Sequence, residues 1–292
     1  MQEQPQATLS ADMLALNPHL TSNWTINKTA QDLLALKYRE MRHHGIPLPK
    51  ISETGFRAFS QNDEDGILHF IFSLIGSARK ITVEICCGDG IECNSANLIV
   101  NHGWTGLLVE ADAGRLARGQ GFYANCRDTF IWPPTLVQSW ITAENVNQVI
   151  RDNGVSGEVD LLSIDMDGVD YWIWKAIDCV APRVVVVEYQ DILGPERAVT
   201  VPYSPDLRAQ WNQGTADYSG ASLTAFVKLG RAKGYRLVGC NRYGFNAFFI
   251  RDDLGGELLP EIPAAACFEH PKVHHGMRTR LPRVEHMDWV EV

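Results

Sequence analysis

The residues best suited to chemistry stand at the ends of four apolar segments. The first segment runs into Glu84-Ile85-Cys86-Cys87-Gly88-Asp89-Gly90. Glycines in such a turn let the backbone bend sharply and approach a ligand with no Cβ in the way. The second segment ends 22 residues after Gly88, in Val109-Glu110-Ala111-Asp112. A carboxylate at that distance can accept both hydroxyls of a ribose. Either half alone also reads as a glycine turn or a surface acid; together, in this order, they form a nucleoside-binding pattern.

The loop lacks a third glycine and the full GxGxxG spacing, so a pyrophosphate cradle is poorly supported. A nucleoside without phosphates, such as S-adenosylmethionine, fits better, with Glu84 holding its ammonium group directly or through water. The other two segments end in Asp165-Met166-Asp167-Gly168-Val169-Asp170 and Glu188-Tyr189-Gln190-Asp191. Open α/β sheets bind ligands at the carboxyl ends of their strands, which makes Asp165 a site residue and a candidate proton acceptor. Asp167 and Asp170 can instead cap the helix that follows. Glu188, Tyr189 and Gln190 are candidate substrate contacts. Asp165 and Glu188 could offer two oxygens to a hard cation. Gln190 would add only a neutral oxygen, so the metal-free reading is preferred.

Residues 191–220 show no clear periodicity and follow a strand end beside these acids. Long irregular insertions tend to be functional loops, so Tyr203 and Trp211 are expected to contact the substrate. The tail carries His270, His274, His275 and His286. A neutral imidazole is the natural base for a hydroxyl proton, which adds His274 and His275 as catalytic candidates despite the lack of any metal-type framing.

The order of these motifs resembles the FkbM-type class I methyltransferases. The resemblance covers about residues 56–254. It is carried by Ser60-Gln61-Asn62-x-Glu64-Asp65-Gly66, the Glu84–Gly90 loop and Gly103-Trp104-x-Gly106-Leu107-Leu108-Val109-Glu110. Asp160-Leu161-Leu162-Ser163-Ile164-Asp165-x-Asp167-Gly168 and Gly244-x-Asn246-Ala247-Phe248-Phe249 complete it. It implies a seven-stranded Rossmann-like sheet and transfer of a methyl group from S-adenosylmethionine, usually to a hydroxyl of a small polar acceptor.

Residue by residue, the resemblance puts Glu84, Gly88 and Gly90 against the methionine moiety. Glu110 takes the ribose, with Ala111 and Asp112 beside it. Ser139 and Trp140 follow the third strand, where this fold edges the adenine; Trp140 either stacks on the base or packs in the core. Gln61 falls on the substrate side. Cys86 occupies the first glycine position of the class I pattern, where its thiol either narrows the cofactor pocket or, as preferred, packs beneath it. Related small-molecule O-methyltransferases hold magnesium at the ends of the strands carrying Asp165 and Glu188. Two alternatives stay open: other chemistry at the sulfonium, such as intramolecular attack releasing methylthioadenosine, and a nucleoside-binding module without catalysis.

These residues need a scaffold, and the hydropathy pattern supplies one. Strands are expected at 81–86, 106–110, 137–141, 159–165, 182–189, 235–240 and 245–251. Helices are expected at 30–39, from Ser60 to Gly76, and at 95–102, 143–152, 171–179 and 223–233. Buried strands alternating with helices mean an α/β fold with a mostly parallel sheet covered on both faces. Asn241-Arg242-Tyr243-Gly244 is too short for a crossover, so the last two strands must form an antiparallel hairpin. The organisation reads as a helical or irregular N-terminal lid over 1–55, the catalytic domain over 56–254 and an irregular tail over 255–292.

The chain has 292 residues, 26 of them Lys or Arg against 35 Asp or Glu, for a net charge of −9. That balance argues against nucleic acid and anionic membrane as partners and leaves a small-molecule substrate; oligomeric state is not readable. No segment approaches a membrane span, and Met1–Pro5 lacks the basic start and apolar core of an export signal. Seven cysteines without a CxxC pair fit reduced, buried thiols. A cytoplasmic location is therefore expected, and the sequons at Asn23 and Asn27 read as chance.

Overall fold

The computed structural model describes residues 27–209, 211 and 214–292. The strands are β1 (Ile81–Ile85), β2 (Thr105–Glu110), β3 (Thr135–Gln138), β4 (Gly157–Ile164), β5 (Val180–Glu188), β6 (Val199–Thr200), β7 (Tyr235–Cys240), β8 (Asn246–Arg251) and β9 (Val290–Glu291). The helices are α1 (Lys28–His43), α2 (Glu64–Ile75), α3 (Ala96–His102), α4 (Ala113–Asn125), α5 (Val146–Asp152), α6 (Asp170–Ala176), α7 (Leu223–Lys233) and α8 (Pro271–Thr279).

Seven strands form one sheet in the order β3-β2-β1-β4-β5-β8-β7. β1 to β5 are mutually parallel, and β8 lies antiparallel to both β5 and β7. This is the expected Rossmann-like arrangement with a C-terminal hairpin. The β-branched run Val184–Val187 explains the centre of the sheet, because both faces of β5 are covered and both must be apolar. Val185 and Val187 join a core with α5, α6 and α7, while Val184 and Val186 face α2 and α3. β6 and β9 form a separate two-stranded sheet that joins the chain's end to the segment after β5.

Several elements differ from the sequence reading, each for a local reason. α2 begins at Glu64 rather than after Ser60. The Asp65 carboxylate accepts the backbone N–H groups of Ala58, Phe59 and Ser60 at 2.8, 2.6 and 2.7 Å, holding them in a turn. Glu64 accepts from the side-chain amides of Asn241 and Asn246 at 2.7 and 3.1 Å. These motif residues therefore staple α2 to the final hairpin. β3 ends at Gln138, before Ile141. α5 starts at Val146, after a turn in which Thr142 N donates to Asn145 Oδ1 at 2.8 Å, and Tyr203 accepts from the Ala143 N–H at 2.9 Å. α4 was not anticipated, and the tail is less irregular than expected. α8 is capped by His270, whose side chain accepts from Lys272 N, with proline in its first turn.

Within the described part of the N-terminal segment, α1 packs on α2 and α3. Tyr38 meets the Phe70 ring edge-on at 4.8 Å, and Gln31 exchanges amide bonds with Asn97 at 3.0 and 2.9 Å. Asn27 caps α1 by accepting from Ala30 N. The Asn23 sequon and residues 1–26 of the expected lid lie outside the described residues. No described helix is long and apolar enough to cross a membrane.

Candidate active site

The carboxyl ends of β2, β1, β4 and β5 lie side by side, and each delivers an acid. At β1, Glu84 is buried and accepts the Asn94 and Ser95 N–H groups at 2.9 and 2.8 Å. It therefore shapes the loop leading into α3, and burial raises its carboxyl above the usual range. At β2, Glu110 Oε1 accepts from Ala111 N and Asp112 N, both at 2.8 Å, and Oε2 accepts from Gly88 N at 3.0 Å. The expected ribose ligand is thus also the brace that holds the glycine loop against β2. Gly88 sits at φ +62°, a left-handed conformation open to glycine without strain.

Cys86 has the same left-handed backbone at φ +61° without the same excuse. Such strain in a non-glycine residue marks positions that the surroundings over-determine, and these cluster at functional sites. Among the described residues, the positive-φ non-glycines are Lys80, Cys86 and Asp167, and the last two flank this edge. Cys86 packs on the core shared with α5, α6 and α7, and its thiol is pushed up by burial and by Glu110, Asp170, Asp165 and Asp167. The thiol thus packs against the core and also faces the acids.

Asp165, Asp167 and Glu188 form one cluster, in which one oxygen from each lies within 4.8 Å of the others. Asp165 and Glu188 are neighbouring carboxyls that influence each other's protonation. Burial, then repulsion from Asp170 and Asp167, raises Asp165 to about 8. Burial and Asp165 push Glu188 well up as well. Asp170 takes the capping role, accepting from Met166 N and Gly168 N at 2.7 and 3.1 Å. Asp167 caps nothing; its left-handed backbone turns it toward Glu188. The third carboxylate that the fifth strand lacks is therefore supplied from the end of the fourth, by Asp167.

Two cavities open on this edge. A cleft of about 660 Å³ is lined by Glu110, Ala111, Asp112, Gln138, Ser139, Trp140 and two unanticipated residues, Asp206 and Arg208. Its size suits a nucleoside-bearing ligand. Asp112 also caps α4, accepting from Arg115 N. Gly119 of α4 lies so close to the loop that a Cβ there would fall 2.1 Å from Asp89 O. Trp140 neither enters the core nor lies free: its indole N–H donates to Pro205 O at 2.8 Å, and it is 41% exposed. A second, smaller cavity of about 110 Å³ is bounded by Asp167, Glu188, Tyr189, Gln190, Trp211 and Arg280, among others. Gln190 donates to Ala216 O at 2.8 Å, so it anchors the cavity wall. Arg280 reaches in from the tail, paired with Asp217 at 2.7 Å and Asp191 at 3.5 Å.

Other candidates are not brought together here. His274 and His275 are exposed on α8 and line neither cavity; Lys272 and Arg280 are the tail residues that point inward. Tyr203 donates to Glu144 Oε2 at 2.5 Å and fastens the loop outside the cavities. Gln61 is exposed and lines neither. Tyr189 lines the small cavity, but its hydroxyl donates to Cys267 O at 3.3 Å and so faces the tail. Arg280 and Arg208 were missed because nothing in their local sequence marks them; only folding puts them at the site.

No family model and no curated protein matches the chain. Solved structures do match at low identity. The N-terminal domain of EvdMO1 with SAH bound has a TM-score of 0.44 and 11% identity, covering 78% of this chain and 97% of that one. The methyltransferase domain of bacterial CtHen1-C scores 0.40 at 13% identity, over 60% of this chain and 90% of its own. An S-adenosylmethionine-dependent methyltransferase from Clostridium acetobutylicum scores 0.35 at 10% identity, over 60% and 85%.

Proposed function

We propose that the protein is an FkbM-type class I methyltransferase that moves a methyl group from S-adenosylmethionine to an oxygen of a small polar acceptor. One observation carries the reading: a nucleoside-sized cleft beside Glu110 and a small cavity beside Asp167 and Glu188 open on adjacent strand ends. The sulfonium is already activated, so holding the acceptor oxygen in line with the methyl carbon supplies most of the rate. The C–S bond breaks as the O–C bond forms, S-adenosylhomocysteine leaves, and Asp165 takes the hydroxyl proton. A base works best with a pKa near the operating pH, and Asp165 at about 8 is in that range, standing behind Asp167 and Glu188, which line the cavity. S-adenosylhomocysteine is expected to bind with micromolar affinity in calorimetry, and labelled methyl to appear in a hydroxylated acceptor. Methylthioadenosine released from cofactor alone would replace this reading with intramolecular chemistry at the sulfonium.

A second reading is favoured by the oxygens of Asp165, Asp167 and Glu188 lying within 4.8 Å of one another. Hard divalent cations take carboxylate oxygens, and such a cation would relieve the repulsion that raises these groups. The first reading expects turnover to survive EDTA. Full loss of activity in EDTA, restored by magnesium, would establish the second.

A further inference from the structure

The segment between β5 and α7 was expected to serve the acceptor alone, yet its two halves wall different cavities. Asp206 and Arg208 line the nucleoside cleft, whereas Trp211 and residues 214–216 line the acceptor cavity. The first half is held by Trp140. Its indole donates to Pro205 O at 2.8 Å, and the Arg208 guanidinium lies 4.8 Å from the centre of its ring. Both halves meet at Gly168, the residue after Asp167. The Leu207 side chain would lie 2.9 Å from a Cβ at Gly168, and Gly220 N donates to Gly168 O at 2.8 Å.

We propose that Asp206 and Arg208 are nucleoside-binding residues, so that cofactor fixes the loop whose far half completes the acceptor cavity and must therefore bind first. This rests on the methyltransferase reading above. The chemistry of the pair suits the task. A planar guanidinium stacked on an indole presents a surface on which a purine can lie. The Asp206 carboxylate is a charged acceptor for an exocyclic amine, where the end of β3 and the residues after it, Gln138-Ser139-Trp140, offer only neutral ones. A ligand that orders one half of a loop lowers the entropic cost of using the other half, and the coupling is reciprocal.

The test uses S-adenosylhomocysteine and the full chain. Arg208→Ala is expected to weaken its binding about tenfold in calorimetry, the loss of a partly desolvated cation–π contact. Trp211→Ala is expected to leave it within about threefold. Tryptic cleavage after Arg208 is expected to slow at least tenfold when the ligand is present, and melting temperatures of the free variants should match wild type. Equal affinity of wild type and Arg208→Ala, with no protection from trypsin, overturns the proposal and leaves the methyltransferase reading intact. Failure of wild type to bind S-adenosylhomocysteine overturns both.

Discussion

Asp165→Asn is expected to raise the melting temperature and abolish methyl transfer together. In the native state Asp165 titrates at about 8, against 3.8 for an ordinary aspartate, because it is buried beside other acids. An acid whose pKa is raised on folding binds its proton more tightly in the native state than in the unfolded one. Stability therefore falls as pH rises from about 4 to about 8, by up to roughly 1.4 kcal/mol per pH unit. The penalty at neutral pH is on the order of a few kcal/mol, shared with Glu188. Asparagine has no such proton to lose, so its stability curve should be flatter over that range. Turnover should drop by at least about 100-fold if Asp165 is the base. Thermal unfolding at pH 5 and pH 8 together with methyl-transfer rates checks both halves. A less stable variant, or an active one, would remove Asp165 from this role.

Glu110→Ala should damage both cofactor binding and the fold. From the sequence, Glu110 is expected to contact the ribose. In the structure, however, the carboxylate holds the N–H groups of Gly88, Ala111 and Asp112. A backbone donor stripped of its partner costs about 1–3 kcal/mol when buried, and the Gly88 and Asp112 amides sit beside water-accessible space that softens this. A net destabilisation of roughly 2–4 kcal/mol follows, with S-adenosylhomocysteine affinity falling by more than about 100-fold. Glu110→Gln, which keeps a carbonyl for two of the three donors, should recover part of the stability and little of the affinity. Calorimetry paired with thermal unfolding separates the roles. Lost affinity at unchanged stability would mean that the three backbone bonds contribute nothing.

The sheet was legible because its physical cause is local. An aliphatic run such as Val184–Val187 suits only a strand covered on both faces, and the short Asn241–Gly244 link permits only a hairpin. α4 was not legible, because Gly114, Gly119 and Gly121 break its apolar period. Gly119 is there for close approach to the glycine loop at Asp89 and not for helix propensity. The tail helix did carry its signals, a His270 cap and Pro271, but three further prolines, Pro260, Pro263 and Pro282, outweighed them. For the site, acids at strand ends could be found from spacing. Which of them face one another could not, since that depends on the left-handed turn at Asp167. Arg208 reaches Trp140 only through the tertiary fold, and no motif spans that separation.

The left-handed Cys86 has a consequence for how the protein meets electrophiles. Alkylation and peroxide oxidation proceed through the thiolate, and their rates follow the thiolate fraction. Burial and the surrounding acids push Cys86 far up, and burial with Glu84 does the same for Cys87 and Cys93. The glycine loop and the turn after it therefore carry three sulfurs that are almost wholly protonated at neutral pH and poor targets for iodoacetamide. Cys240, on the far hairpin, is shifted the other way by its hydrogen bond with Cys267. Of the glycine loop and the hairpin, the hairpin therefore carries the more readily ionised thiol.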